Sequence, residues 1–155
     1  MSNINLNLAK HQEKIYVNKD LYGEDKVIYI DTTDDGILLR ARDSVRRMTA
    51  AMLLIRQAEA DLSDRERKGE DVTEERLDER EKTEKLIRDQ IDYIFGYPVS
   101  EVVFGSTSVV APYEDTTYVE AFLNAIMPVI AEKLQEAREA SNKRVAAYTE
   151  KYDKK

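Results

Sequence analysis

The sequence predicts an α+β fold that is mainly α: a small N-terminal antiparallel β-unit followed by three long helices, the first two forming a charged helical hairpin. Three observations predict it. Short β-branched and aromatic stretches fall within residues 1–33. Apolar residues then recur at steps of three and four. A dense run of mixed charge, broken by Gly69, separates two such stretches. The 155 residues suit one domain. Its parts are a β-rich unit at 1–33, a helical hairpin at 34–96, and an apolar turn, loop and kinked C-terminal helix at 97–155.

In the first part, Ile4, Leu6 and Leu8 alternate with asparagines, the period of a half-buried strand. Lys14–Val17 and Lys26–Ile30 are strand-like, and Asn18–Asp25 between them is rich in turn residues. Two or three strands are expected, which must pack against helices to be stable. Asp31, Thr32, Thr33, Asp34 and Asp35 then supply capping oxygens before a helix at 34–67. Its seam is Leu38, Ala41, Val45, Met48, Met52, Ile55 and Leu62, interrupted by Glu59 and widened by Leu53 and Leu54. That seam is wide enough for a core and a partner, so self-association is expected through Met48, Met52 and Ile55.

Residues 61–85 are mostly charged and suit a solvated hairpin tip. Thr73 is the expected N-cap of the second helix, and Glu81 with Lys85 an expected (i, i+4) pair. Ile87, Ile91 and Ile94 form the buried stripe of that helix, flanked by Leu86 and Phe95. Gly96 and Tyr97-Pro98 end it. One apolar helical turn and a loop follow at 99–112. The last helix, 116–150, buries Phe122, Ile126, Ile130, Leu134 and Ala137 and is kinked by Pro128. Val145, Tyr148 and Tyr152 extend its stripe, and its polar last third projects or frays.

Catalytic and metal chemistry find little to work with. There is no cysteine, which fits a reducing compartment. His11 is the sole histidine and reads as a surface residue, so neither a nucleophilic triad nor a zinc site is expected. Asp31, Thr33, Asp35 and Gly36 match half of a calcium loop, but its twelfth position is Arg42, a cation where a bidentate glutamate is needed. Acidic residues are densest in the charged tip, where solvent leaves little to shift a catalytic pair apart. Gly96 and Gly105 are isolated, so no phosphate loop exists. A net charge of −7 argues against nucleic acid. The longest apolar run, Ala50–Ile55, is far short of the ~20 residues of a membrane span. With no targeting segment visible, the expectation is a cytosolic protein with no enzyme activity, cofactor or membrane partner. Phe95, Tyr97, Val102, Val103 and Phe104 cluster around two glycines. They read either as a plug for the core or as an apolar patch that docks a partner.

Ile87–Gly96, Val99–Gly105, Phe122–Ile130 and the basic, tyrosine-bearing Asn142–Tyr152 together resemble the tail assembly chaperones of those siphophages, phages with long non-contractile tails, whose hosts are Gram-positive bacteria. The N-terminal strands, Tyr29–Thr33 and the long helix after them fit the same pattern. The likeness covers most of the chain and is best over 87–152. It implies a non-enzymatic chaperone that coats the aggregation-prone tape-measure protein in the host cytoplasm, helps recruit tail-tube subunits, and leaves before the virion matures. Family members often occur as a short product and a longer frameshifted one; Lys154-Lys155 would suit a slippery codon pair. The charged 61–85 segment is longer than the family leads one to expect, and the family has no catalytic residue to carry over. The alternative is a structural phage protein, such as a head–tail connector or tail-completion component. A regulatory or enzymatic small protein is the third reading.

Overall fold

The computed structural model describes residues 3–6, 12–19 and 23–153. Strand β1 (Gln12–Lys19) pairs antiparallel with β2 (Asp25–Asp31), Ile15 opposite Ile28 and Lys14 opposite Tyr29. Alternation sorts the two faces. Ile28 and Ile30 are buried and Ile15 and Val17 half-buried, whereas Lys14, Tyr16 and Tyr29 face outward. The Lys14 ammonium lies over the Tyr16 ring at 5.2 Å. Residues 3–6 of the expected first strand are exposed and carry no regular structure. Leu8 and His11 lie outside the described residues.

After β2 the chain turns on Asp31. Its Oδ1 accepts the Thr33 N–H at 2.9 Å and the Thr33 hydroxyl at 2.6 Å. These are the bonds of an Asx-turn, so the acid shapes the turn and does not cap the helix. Helix α1 runs Gly36–Arg67, α2 Thr73–Phe95, α3 Val99–Phe104 and α4 Tyr118–Asp153. A two-residue hairpin, β3 (Pro112–Tyr113) with β4 (Thr116–Thr117), precedes α4. The fold is therefore α+β and mainly α, with a small antiparallel sheet ahead of long helices.

The contacts divide the chain into two compact units. One combines the two chain ends, up to Asp35 and from Phe122 onward; the other is Gly36–Ala121. The three consecutive segments suggested by sequence are thus grouped differently in space. In the first unit the buried side chains are Ile28 and Ile30 of β2 with Ile126, Ile130 and Leu134 of α4. The spacing of four along α4 is one helical face, and the helix continues through Pro128. From 138 to 151 every residue is exposed.

The second unit is built on the α1–α2 hairpin. Ile87, Ile91 and Ile94 of α2 are buried, as their spacing predicts, joined by Thr83 and Phe95. On α1 the buried set is Ile37, Ala41, Ser44, Met48 and Leu62, with Met52 and Ile55 half-buried. Two expected seam residues, Leu38 and Val45, are instead 40% and 44% exposed, and Leu53 and Leu54 are exposed as well. The rest of the expected seam keeps its inward face, so only its edge shifts, with Ile37 and Ser44 buried in place of Leu38 and Val45. The cause is polar. Arg40 donates from Nε and Nη2 to the Ile94 carbonyl at 3.1 and 3.0 Å, and from Nε to the Tyr93 carbonyl at 3.2 Å. Beside it the Ser44 hydroxyl donates to the Gln90 carbonyl at 3.4 Å. These bonds need the 37–40–41–44 face of α1 turned toward α2.

The hairpin tip is better ordered than a solvated turn. Gly69 takes φ +92°, and the Glu70 N–H bonds the Arg65 carbonyl while the Gly69 N–H bonds that of Glu66. That pair of bonds is a Schellman stop. Leu62 and Val72 are buried beneath it. Arg65 holds Glu70 and Glu75 at 2.6 and 2.9 Å, and Arg76 reaches back to Glu59 and Glu66 at 3.0 and 2.6 Å. Thr73 is the first helical residue and not the cap. It donates its N–H and hydroxyl to Asp71 Oδ1 at 3.1 and 2.7 Å, repeating the Asp31–Thr33 turn. Lys85 reaches forward to Asp89 at 2.8 Å instead of back to Glu81.

The exchange of Leu38 for Ile37 at the edge of the seam has a measurable consequence. Ile37→Ala or Ile91→Ala is expected to lower urea stability by about 2–5 kcal/mol, and Leu38→Ser to change it by no more than about 0.5 kcal/mol. A large loss for Leu38→Ser would put Leu38 back in the core.

Candidate interaction surfaces

A column of polar side chains on α2 holds the segment after Gly96. Glu84, Arg88 and Asp92 stand four residues apart, on one helix face. Asp92 accepts the Ser100 N–H at 2.8 Å and the Ser100 hydroxyl at 3.1 Å, which fixes the first turn of α3. Arg88 Nη2 donates to the carbonyls of Gly105 and Thr107 at 2.8 and 3.1 Å, and its guanidinium lies 5.8 Å from the Phe104 ring centre. Glu84 pairs with Arg88 at 3.3 Å, accepts the Val109 N–H at 2.9 Å and accepts the Ser108 hydroxyl. Backbone groups of a loop over an apolar core must be bonded, and these three side chains do it. The periodic charges were the signal for this column, although they read equally well as a solvated face.

That clamp decides what the apolar cluster can do. Phe95, Val103 and Phe104 are buried, and Phe104 meets the Tyr118 ring edge-on at 5.4 Å. They belong to the core of the second unit. Tyr97 and Val102 are half-buried, so among the five residues these two retain surface for a partner. The three residues expected to mediate self-association also part company. Met48 is buried, whereas Met52 and Ile55 line an open groove of ≈ 460 Å³ with Leu77, Thr83, Val110 and Arg80. Leu77, which the sequence reading passed over inside the charged segment, is 54% exposed there. A third apolar surface runs along α1 itself, where Leu38, Leu39, Val45, Leu53 and Leu54 are exposed. Helix spacing separates them into a flank of Leu38 and Val45 and a back of Leu39, Leu53 and Leu54.

Among the described residues no cluster of three or more histidine, cysteine or acidic side chains is arranged to hold a metal ion. No helix there is long and apolar enough to cross a membrane. The shifted carboxylates are at the tip. The hydrogen bond from Arg76 holds Glu59 below the ordinary glutamate range, that from Arg65 does the same for Glu75, and the Thr73 hydroxyl lowers Asp71. Such shifts favour the charged form of acids whose partners are already in place. They preserve ion pairs and do not create a proton donor near neutrality. Compared with protein-family models, curated proteins and solved structures, the chain matches none.

Two outcomes test this account. Glu84→Ala strands the buried Val109 N–H, so it should cost about 1–3 kcal/mol and open the 105–111 loop to proteolysis; a loop as resistant as wild type would remove the clamp. Glu59, Asp71 and Glu75 are depressed in the fold, so their contribution is complete above an unfolded pKa of about 4 and fades as pH falls through the lower folded values. Carboxyl NMR should show all three titrating below that range, with Glu59 moving up in Arg76→Gln; an unmoved Glu59 would mean that Arg76 is not its partner.

Proposed function

We propose that this protein is a non-enzymatic binding protein of phage tail morphogenesis. It is a tail assembly chaperone that holds the long, helical tape-measure protein soluble in the host cytoplasm and helps recruit tail-tube subunits. It then stays out of the mature virion. The observation that carries the reading is the exposed apolar length of α1, Leu38 to Leu54, on a chain of net charge −7. A holdase needs both properties. Apolar side chains on a helix offer docking positions to an amphipathic client helix, and the negative surplus keeps the complex dispersed. The resemblance of Ile87–Gly96, Val99–Gly105 and Phe122–Ile130 to tail assembly chaperones supports the same reading. Tyr97 and Val102 offer a further contact to the client, and Met52 and Ile55 to another copy of the chain. No cofactor, metal, nucleic acid or membrane enters the proposal.

Co-expression with a tape-measure protein encoded beside the gene should yield a soluble complex. Leu53→Asp combined with Leu54→Asp should keep the helical circular dichroism of the wild type and reduce co-purification of the client at least about tenfold, a difference of about 1.4 kcal/mol. Mass spectrometry that found the chain in purified virions would replace this reading with that of a structural tail component.

A further inference from the structure

The end of α4 is basic with an apolar stripe, and the groove of the hairpin has an apolar floor within an acidic segment. Residues 138–151 are exposed on every side of the helix, including Val145 at 60% and Tyr148 at 64%. Val145 and Tyr148 continue the stripe that is buried further back at Ile126, Ile130 and Leu134. A helical stretch of that length is marginal in water unless an amphipathic face is covered. Its charge is opposite to that of the chain as a whole: four basic side chains (Arg138, Lys143, Arg144, Lys151) stand against two acidic ones (Glu139, Glu150). Lys143 and Arg144 at its middle would repel each other if two such helices paired centre to centre.

The hairpin end has the converse character. Residues 59–85 hold twelve acidic and seven basic side chains, and the apolar floor of the groove is Met52, Ile55, Leu77 and Val110. We infer that the basic end of α4 of one copy docks in the α1–α2 groove of a second copy, with Val145 and Tyr148 on the apolar floor and Lys143 and Arg144 toward the acidic hairpin. This rests on self-association through Met52 and Ile55 and supplies the surface that meets them. The contact joins two different patches, so it is head-to-tail. The joined pair keeps one unoccupied groove and one undocked helix end, on different copies, and association continues into a ring or a chain. Attraction between exposed charges of this kind weakens with salt.

Sedimentation of the purified 155-residue chain, with no client present, tests it apart from the chaperone reading. Wild type should associate, less so at high salt. Val145→Glu and Leu77→Glu alter exposed positions, and each should weaken association at least about tenfold with unchanged circular dichroism. Lys143→Glu with Arg144→Glu should do the same by charge alone. An equimolar mixture of Val145→Glu and Leu77→Glu should form 1:1 dimers and nothing larger, because one intact groove and one intact helix end remain between them. A monomeric wild type, a single variant that associates like wild type, or a mixture that stays monomeric would overturn the inference. Client co-purification in the monomeric variants reports separately on the chaperone function.

Discussion

The second unit depends on the way α1 completes the C-terminal end of α2. The last turn of α2 contains no basic residue, and its final carbonyls include those of Tyr93 and Ile94. Helix C-termini leave such carbonyls without intrahelical donors and with partial negative charge. Arg40 supplies both the donors and the positive charge from the neighbouring helix. A guanidinium in a partly buried position of this kind contributes up to ~2 kcal/mol, comparable to burying one aliphatic side chain. It also selects which face of α1 turns inward. With Arg40 in place, Ile37, Ala41, Ser44 and Met48 are buried, and Leu38 and Val45 are exposed. One polar contact thereby converts apolar residues that could have filled a core into a surface.

The polar column on α2 performs the matching task for the chain that follows. Asp92, Arg88 and Glu84 bond the start of α3, the end of α3 and the loop beyond it, in that order. Each bond satisfies a backbone group that would otherwise be costly over the apolar cluster. The Glu84–Arg88 pair is about four-fifths shielded from solvent, with side-chain exposures of 23% and 21%. Screening weakens it less than it weakens the tip pairs, where Arg65 and Arg76 are more open. The two networks therefore differ in role. The tip network fixes the geometry of a turn already closed by Gly69, Leu62 and Val72. The α2 column determines that Phe95, Val103 and Phe104 face inward while Tyr97 and Val102 remain accessible.

The elements legible in the sequence were those whose determinants are local. Ile87, Ile91 and Ile94 share a face at helical spacing, and Gly96 stops α2 at φ +79° with its N–H on the Asp92 carbonyl. The same holds for β1 and β2 and for the apolar spacing of α4. The edge of the α1 seam was not legible at Leu38 and Val45, because apolar residues populate more than half of the helix circumference and Arg40 and Ser44 look like surface residues in one dimension. Thr73 reads as an N-cap in one dimension, but it lies inside α2 and its N–H and hydroxyl are taken by Asp71, two residues before it. For the candidate sites, Phe95, Val103 and Phe104 were singled out for their composition, and composition does not distinguish a plug from a patch. The loop clamp from Glu84 and Arg88 decides that, and it joins residues 17–25 positions apart. Leu77 was missed because its neighbours are charged, although an isolated leucine in such a run is the position that a groove between helices uses.

Exposed leucines on α1 and a negative surplus place opposite demands on one chain. The apolar side chains favour contact with any helix that presents a matching face, including those of identical copies. The charge opposes close approach of copies in general, and it does so over about 10 Å at moderate salt. A contact that brings a locally basic helix to a locally acidic one escapes that opposition, whereas leucine-to-leucine contact between two α1 helices does not. Charge therefore permits one mode of self-association and discourages the other. Under the proposed function, the outer face of α1 would stay available to a client while copies are held together elsewhere. A molecule that must cover a long partner needs that separation, because a surface occupied by its own copies cannot also hold the partner.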